Sequence, residues 1–199
     1  MSNLLNNSQV RIVLEIFRNP GVNLRGIIAK TKLSPNYASK YLNHLVERGI
    51  VKEEKLEKKR VYLRRFFLNF DLDFTRNFFK LIKEEEKESF FLKYQKLKPV
   101  FEQLAREIKS DFILVYGSYA RLQATEKSDI DVLVVGKIRN KEKIREIMVS
   151  LDMDVSLKIE TFSDFEKRIG DALHQQIFKE GIIIFDNGKY LDFVFRGVR

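Results

Sequence analysis

The fold is decided by residues 113–135, which read ILVYGSYARLQATEKSDIDVLVV. An apolar run ends at Gly117-Ser118, ten residues follow, and Asp129-Ile130-Asp131 opens a second apolar run. This pattern predicts a strand that breaks into a helix at the Gly-Ser turn, where outward-pointing backbone N–H groups favour a bound phosphate. The two aspartates are two residues apart, so on a strand their carboxylates project from the same face. Paired carboxylates facing such a turn are typical of a divalent-metal phosphoryl- or nucleotidyl-transfer site.

The same stretch resembles the signature of the DNA polymerase β-like nucleotidyltransferase superfamily, closest to its small prokaryotic branch, the minimal nucleotidyltransferases. The signature is Gly-Ser, ten residues and Asp-x-Asp, and here it spans Gly117-Ser118, residues 119–128 and Asp129-Ile130-Asp131. The resemblance implies an αβ domain with a mixed sheet, Mg²⁺ as the metal, and an NTP, expected to be ATP, as substrate. It also implies that Gly117 and Ser118 contact the triphosphate and that Asp129 and Asp131 are catalytic and hold the metals.

Active members of that superfamily usually carry a third carboxylate on the next strand, as general base and metal ligand. Residues 153–159 alternate apolar and polar side chains, which predicts this strand, with Asp154 on the polar face near its start. Asp154 is therefore the expected third catalytic and metal-binding residue. Asp152 has the same parity and is the alternative. A slip of one residue in the strand would turn Asp154 to the other face. The absence of a third carboxylate stays open.

Two neighbouring positions complete the predicted site. Arg121 is the further nucleotide-binding candidate and could pair with the phosphates of the nucleotide or with Asp129; the alternative is an arginine on the surface of a helix. Many relatives have Gly directly after the Ala-Arg pair, whereas this chain has Leu122. The difference concerns the loop that closes over the triphosphate. Farther along, residues 163–179 predict one amphipathic helix and residues 181–185 a last strand.

Composition narrows the class of protein. A chain of 199 residues with 44% hydrophobic residues can bury the core of one large or two small domains. No apolar run approaches the ~20 residues that span a bilayer, so we expect no membrane association. The N-terminus lacks the basic and apolar regions of a signal peptide. The chain has no cysteine, which excludes disulfides and thiolate zinc sites and favours a cytoplasmic protein.

The positive charge is concentrated in the first third of the chain. Residues 1–70 hold 14 of the 37 Lys and Arg residues and 5 of the 28 Asp and Glu residues, a net charge of +9. Residues 71–199 therefore hold 23 of each sign and are neutral overall. A basic segment joined to a neutral one indicates that the basic part binds a polyanion.

The basic segment predicts three short helices and a hairpin. Residues 8–19 have a helical apolar stripe that Pro20-Gly21 ends, and residues 24–30 fit a second helix. Ser34-Pro35 begins a third helix, which Gly49 ends. This order resembles a winged helix-turn-helix domain over residues 6–68, similar to prokaryotic transcription regulators. A protein-binding or dimerising winged helix, with its charges merely solvated, is the alternative.

Under this resemblance, five residues of the third helix would face the DNA major groove, and three residues of the wing would contact phosphates. The five are Asn36, Tyr37, Ser39, Lys40 and Asn43, and the three are Lys58, Lys59 and Arg60.

Residues 69–109 are rich in Phe and charge and predict a helical connector of one or two long helices. The domains expected from the sequence are therefore a winged helix at 1–68, this connector, and a nucleotidyltransferase domain at 110–199, an α+β chain. So many Phe side chains also allow a different interpretation, in which the connector forms a homodimer interface.

The predicted activity is Mg-dependent transfer of a nucleoside monophosphate, expected to be AMP, from an NTP to a hydroxyl acceptor. The winged helix would bring DNA or a partner to this transferase. One alternative is a DNA-binding transcription regulator whose transferase domain senses nucleotide or is degenerate. Another is an antitoxin-like partner of a HEPN-type toxin, as some minimal nucleotidyltransferases are.

Overall fold

The computed structural model describes residues 7–58, 61–151 and 153–197, without the side chains of residues 57, 58, 61 and 62. The chain divides into two compact units, Met1–Ile82 and Lys83–Arg199. The three-part division expected from the sequence, with a separate connector at 69–109, stays a prediction. Within the described ranges, no helix combines the length and the apolar character that crossing a membrane requires.

The first unit opens with three short helices, α1 (Asn7–Arg18), α2 (Leu24–Thr31) and α3 (Pro35–Glu47). Side-chain caps begin two of them. The Asn23 side chain accepts from the Gly26 N–H ahead of α2, and Ser34 accepts from the Tyr37 N–H ahead of α3, with proline at the first helical position. Apolar residues at helical spacing fill the core between the helices, and they are Ile12, Val13, Ile16, Ile27, Leu42 and Leu45.

A hairpin of two antiparallel strands follows, β1 (Val51–Lys58) and β2 (Val61–Leu68), in register from Val51 opposite Leu68 to Lys58 opposite Val61. The hairpin is joined to the helices by backbone hydrogen bonds. The Gly21 N–H donates to the Phe66 carbonyl, and the Phe66 N–H donates to the Val22 carbonyl. These bonds fix the hairpin beside the turn that follows α1.

A single 21-residue helix, α4 (Asp73–Lys93), begins in the first unit and ends in the second. In the first unit, Phe79 packs its ring 4.7 Å from Phe17 and 5.3 Å from Phe70. In the second unit, α4 is followed by α5 (Leu97–Glu107), which packs on the sheet described next.

The second unit is a four-stranded mixed sheet in the order β5-β4-β3-β6. β3 pairs antiparallel with both β4 and β6, whereas β4 and β5 are parallel. The strands are β3 (Phe112–Tyr116), β4 (Ile130–Val135), β5 (Val155–Glu160) and β6 (Ile182–Asp186). The helices are α6 (Gly117–Ala120), α7 (Lys141–Val149), α8 (Phe162–Arg168), α9 (Ala172–Glu180) and α10 (Lys189–Arg196).

Each face of this sheet is covered. Ile130, Val132 and Val134 of β4 pack against buried residues of α5 and α7 on one face. On the other face, the Phe112 ring lies 5.1 Å from the rings of both Phe165 and Tyr190.

The single helix predicted for residues 163–179 is wrong, because the helix ends near Gly170 and α9 begins at Ala172.

Candidate active site

Gly117 brings two segments of the sheet into unusually close contact. It follows the last residue of β3 with a φ of +69°, a conformation that L side chains rarely adopt. A Cβ atom built on Gly117 would lie 2.1 Å from Oδ2 of Asp131, far inside van der Waals contact. Only glycine therefore satisfies both the backbone angle and the space, and it lets the turn backbone lie against the Asp131 carboxylate.

Asp131 lies in the middle of a polar row across three strands. It pairs with Tyr116 of β3 on one side and with Ser156 of β5 on the other. Interaction with the Ser156 side chain lowers the pKa of both Asp131 and Tyr116, against the rise that burial causes. Asp129 directly precedes β4 and is exposed, two residues from Asp131. The structure therefore brings Gly117, Asp129 and Asp131 together at one edge of the sheet.

The electrostatics of this edge favour a cation. Burial raises the pKa of Asp131, and the neighbouring charge of Asp129 raises it further. The Ser156 side chain and the charge of Arg121 lower the pKa of Asp131 without cancelling the rise. Because the two carboxylates repel each other, a divalent ion between them would relieve a cost that the protein alone does not offset.

The donor set fits Mg²⁺ as it is usually held beside a nucleotide. Across residues 7–58, 61–151 and 153–197, no three acidic, histidine or cysteine side chains gather as ligands of one metal ion. Mg²⁺ is commonly bound by one or two carboxylates, with substrate phosphates and water completing its octahedron. Asp129 and Asp131 supply that number of carboxylates, so their chemistry suits the metal.

Asp154 lies at the same edge, one residue before β5. Its carbonyl accepts from the Ile130 N–H at 2.9 Å, and its side chain is exposed. β4 and β5 run parallel with Asp131 beside Ser156, so continuing the register back by two residues sets Asp154 level with Asp129. Asp152, the alternative third carboxylate, lies outside the described residues.

Arg121 is engaged with a residue that the sequence did not indicate. Its guanidinium lies 3.2 Å from Oε2 of Glu180 on α9, and both side chains are more than a third exposed. Arg121 therefore forms an ion pair with Glu180, not with Asp129. Ser118 is half-buried in α6, and its carbonyl accepts from the Gln123 N–H at 2.9 Å.

The loop after α6 is held by the end of α4. Leu122 has a φ of +58°, a left-handed backbone that favours glycine. Nζ of Lys93 donates to the Leu122 carbonyl at 2.5 Å, and the Tyr94 ring lies 4.8 Å from the Tyr119 ring. Sequence spacing could not find Lys93, because it lies 29 residues from its acceptor.

An open cleft of ≈ 610 Å³ adjoins the acidic edge. It is lined by one aromatic ring, one thioether and four polar side chains, namely Tyr119, Met153, Glu126, Lys127, Ser128 and Asp154. The Tyr119 hydroxyl lies 3.8 Å from the sulfur of Met153, which joins the α6 side of the cleft to the β5 side. The cleft gives a substrate access to Asp154 from solvent.

A second ionisable cluster is buried away from this edge. Oε2 of Glu160, at the end of β5, lies 3.0 Å from Nε2 of His174, and Lys158 and Arg168 each lie 3.0 Å from Oε1. Burial alone would raise the pKa of Glu160, but hydrogen bonds from His174 and Lys158 outweigh it and lower that pKa. His174 is buried, so it ties α9 to β5 and does not face the cleft.

On the first unit, α3 presents a polar face at helical spacing. Asn36, Tyr37, Lys40 and Asn43 are exposed, with Tyr37 at 59%, whereas Ser39 is partly buried. The Tyr37 ring lies nearly parallel to that of Tyr41, 6.2 Å away. Of the predicted wing contacts, Lys59 and Arg60 lie outside the described residues, as does the side chain of Lys58.

The wing is tied to α3 by Arg64, which spacing did not reveal. Its guanidinium donates to both oxygens of Glu53, at 2.7 and 2.8 Å, and to Oδ1 of Asn43 at 3.4 Å. Asn43 is thus in contact with the wing.

A separate basic cleft of ≈ 320 Å³ between α1 and α2 is lined by four cationic residues, Arg11, Arg18, Lys30 and Lys32, together with Leu14, Glu15 and Thr31. The four come from two helices, so no local run of charge marked them.

Comparison with known proteins agrees with both units. Residues 95–190 match the family described as polymerase beta, nucleotidyltransferase, and residues 5–52 match a winged helix-turn-helix DNA-binding family. A relative in Methanocaldococcus jannaschii, provisionally named a protein adenylyltransferase, is 30% identical over 76 residues, covering 37% of this chain and 76% of the relative. Both resemblances drawn from the sequence are confirmed, and so is the α+β fold with a mixed sheet. The chain therefore belongs to the polymerase β nucleotidyltransferases, with a winged helix-turn-helix at its N-terminus.

Proposed function

We propose that the protein transfers a nucleoside monophosphate, AMP in the first instance, from an NTP to a hydroxyl on an acceptor, with Mg²⁺ as cofactor. The observation that carries the proposal is the contact between the Gly117 turn and Asp131, where a Cβ atom would lie 2.1 Å from the carboxylate. A turn that holds phosphate directly beside a metal-binding carboxylate suits a bound metal–triphosphate complex. The name of the archaeal relative supports adenylyl as the transferred group.

The triphosphate would be held by the Gly117-Ser118 turn. The N–H groups in the first turn of α6 have no acceptors within that helix, so they can donate to phosphate oxygens together with the Ser118 hydroxyl. Arg121 would leave Glu180 and add a cation at the phosphates; the exposure of both side chains makes the exchange inexpensive. Asp129 and Asp131 would hold the metal, which supplies a Lewis acid at the α-phosphate when bound.

Asp154 would accept the proton of the attacking hydroxyl. Its exposure in the cleft and its level beside Asp129 support this assignment. The hydroxyl oxygen attacks the α-phosphorus, the bond to the β-phosphate oxygen breaks, and pyrophosphate leaves with that electron pair. The products are a nucleotidylated acceptor and pyrophosphate.

The first test is calorimetric titration of ATP with Mg²⁺ into the wild type, Asp131→Asn and Asp192→Asn. Asp192 is an exposed carboxylate on α10, so its variant controls for the loss of one charge. We expect the wild type and Asp192→Asn to bind alike and Asp131→Asn to lose Mg-dependent binding. Equal binding by all three would refute the proposed metal site.

A second function, nucleotide sensing without transfer, is favoured by one specific observation. Ser156, not a carboxylate, lies beside Asp131 on β5, and the described residues contain no three-ligand acidic cluster. A site that binds nucleotide but lacks a base would act as a switch for the DNA-binding unit. Release of labelled pyrophosphate from ATP in the presence of cell extract as a source of acceptors distinguishes the two, because sensing alone releases none.

For the winged helix we propose DNA as the ligand, contacted by the α3 face at Asn36, Tyr37, Ser39, Lys40 and Asn43. The wing residues Lys58, Lys59 and Arg60 are proposed to contact phosphates. Support comes from the match to a DNA-binding family and from the exposure of most of the α3 residues. A toxin of the HEPN type as a partner stays a prediction.

A further inference from the structure

An exposed apolar strip runs along the start of α4. We name it the α4 strip, and it consists of Leu72, Phe74, Phe78 and Leu81. Leu72, Phe74 and Leu81 are 41%, 56% and 42% exposed. The rings of Phe74 and Phe78 stack nearly parallel, with an interplanar angle of 3° and centroids 6.4 Å apart. Large apolar side chains that are adjacent and exposed mark interaction surfaces more often than isolated ones do.

The strip is distinct from the face of α4 that builds the core. Phe74, Phe78 and Leu81 are spaced four and three residues apart, so they lie on one side of the helix. Thr75, Phe79 and Ile82 lie on another side and are buried within the first unit. The helix therefore buries one apolar face in its own unit and leaves a second one at the surface.

Beside the strip runs a row of polar residues at the same helical spacing, Asp73, Asn77 and Lys80, all exposed. The row has an acidic residue at one end, an amide in the middle and a basic residue at the other end. The Asp73 side chain is 90% exposed and lies 3.4 Å from Arg76. When two copies of this row run in opposite directions, the acidic end of each therefore lies opposite the basic end of the other.

We propose that the α4 strip pairs with the same strip of a second copy of this chain, as two antiparallel helices related by a two-fold axis. In that register Phe78 meets Phe78 of the second copy, and Phe74 meets Leu81. Along the flank, Asp73 meets Lys80 of the second copy and Asn77 meets Asn77. Both the apolar and the charged pattern are thus satisfied by one register, as a two-fold interface requires.

The charges indicate that the partner is a second copy of the chain and that the two α4 helices run antiparallel. In a parallel two-fold pairing the polar rows of the two copies would lie on opposite sides of the interface and would not meet, whereas the antiparallel pairing puts them on the same side and brings opposite charges together. Exposed ion pairs contribute little affinity, so the apolar strip supplies the association and the flank supplies its register. Since the strip and α3 belong to the same unit, such a dimer presents two recognition helices to a DNA site with two-fold symmetry.

The absence of cysteine from the chain allows a direct test. Asn77→Cys places one thiol beside the proposed two-fold axis. Glu102→Cys places one at an exposed position of α5 and is the matched control. After mild oxidation, we expect Asn77→Cys to run as a covalent dimer without reductant and Glu102→Cys to stay mostly monomeric. Equal cross-linking of the two variants would overturn the proposed interface.

Charge reversal tests the register independently. Asp73→Lys and Lys80→Asp should each weaken dimerisation about fivefold or more in sedimentation equilibrium, because each replaces both symmetric attractions by repulsions. The double variant restores the opposite charges and should recover wild-type association. Circular dichroism spectra show whether each variant is folded. A wild type that stays monomeric at every concentration, or a double variant as weak as the single ones, refutes the proposal.

Discussion

Glycine at position 117 shows how one missing atom can set the geometry of a site. The positive φ of this residue and the 2.1 Å separation from Asp131 are two separate demands that only glycine meets. Neither follows from local propensity alone. The Gly-Ser pair was found from the sequence because it ends an apolar run, but the contact with Asp131 depends on how β3 and β4 pair.

The first prediction compares two glycines. Gly117→Ala should lose Mg-dependent ATP binding and destabilise the protein by about 1–3 kcal/mol, because of backbone strain and the clash with Asp131. Gly170→Ala is the control, since a Cβ there meets nothing within 4 Å. It should be neutral or stabilising by ~0.4–1 kcal/mol. Urea unfolding and calorimetry measure both effects, and equal stability of the variants would contradict the account.

Leu122 is the opposite case, a side chain where the backbone favours glycine. We expect Leu122→Gly to be neutral or up to about 1 kcal/mol more stable, since relief of left-handed strain offsets the added freedom of the unfolded chain. Leu122→Ala removes the same side chain without relieving the strain, so it should be less stable than Leu122→Gly. Thermal unfolding of the three proteins gives the order, and an alanine variant equal to the glycine variant would exclude strain.

Asp131 carries a cost that the metal-free protein bears. Burial raises its pKa in the fold above the ordinary value of 3.8, so its ionisation opposes folding at neutral pH. Asp131→Asn should therefore unfold at higher temperature than the wild type at pH 7 without Mg²⁺. The difference should shrink as the pH falls below 3.8, because the carboxyl then becomes protonated in the unfolded state as well as in the folded one. An unchanged difference across that range would argue against the buried charge as its cause.

The sequence revealed site residues that lie close together along the chain, but not contacts between residues far apart along it. Gly117, Ser118, Asp129 and Asp131 were found because the turn and the carboxylates are close along the chain. The partners of the neighbouring residues Arg121 and Leu122 were missed, because they lie far away along the chain. Glu180 lies 59 residues from Arg121 and Lys93 lies 29 residues from Leu122, so only the folded chain reveals them.

At the scale of elements, the order of helices and strands followed from the spacing of apolar residues and from the positions of proline, glycine and capping residues. Ser34-Pro35 began α3 as expected, and the alternation of residues 153–159 corresponds to β5. The break between α8 and α9 was missed because the apolar spacing of residues 163–179 continues through Gly170. A glycine followed by Asp171, the residue that precedes α9, is the signal that should have outweighed the periodicity.

The junction of β5 and α9 depends on Glu160. We expect Glu160→Gln to cost about 1–3 kcal/mol, because hydrogen bonds to a buried carboxylate are weakened. The pKa of Glu160 is lowered by folding, so its contribution to stability is present above the ordinary value of 4.5 and is lost as the pH falls through the folded pKa. Chemical unfolding at pH 7 and pH 4 should show the gap between wild type and variant narrowing at the lower pH. The exposed Glu142→Gln serves as control and should change neither value.

For the whole molecule, the uneven distribution of charge is the property that composition predicts best. The excess of +9 lies within residues 1–70 and coincides with the winged helix, whereas residues 71–199 are neutral. What composition cannot give is the division into units at Ile82, because α4 continues through it without interruption.

DNA binding by the whole chain should therefore depend steeply on salt. Lys40→Gln should weaken binding and reduce the slope of log K against log salt by about 1, if one phosphate contact is lost. Lys98→Gln, on the neutral second unit, removes the same charge and should leave the slope unchanged. Fluorescence anisotropy over a salt series measures the slope, and identical slopes for both variants would remove Lys40 from the interface.

The contact between Gly117 and Asp131 also limits how this protein can evolve. Every amino acid that replaces glycine by a single codon change carries a Cβ atom, so position 117 has no conservative neighbour in the genetic code. A comprehensive substitution library selected for nucleotide binding should tolerate glycine alone at that position. Position 122 should behave in the reverse way, with glycine enriched over the native leucine, since its backbone already has the angle that glycine prefers. The two positions lie five residues apart, and the backbone favours glycine at both, but only position 117 has it.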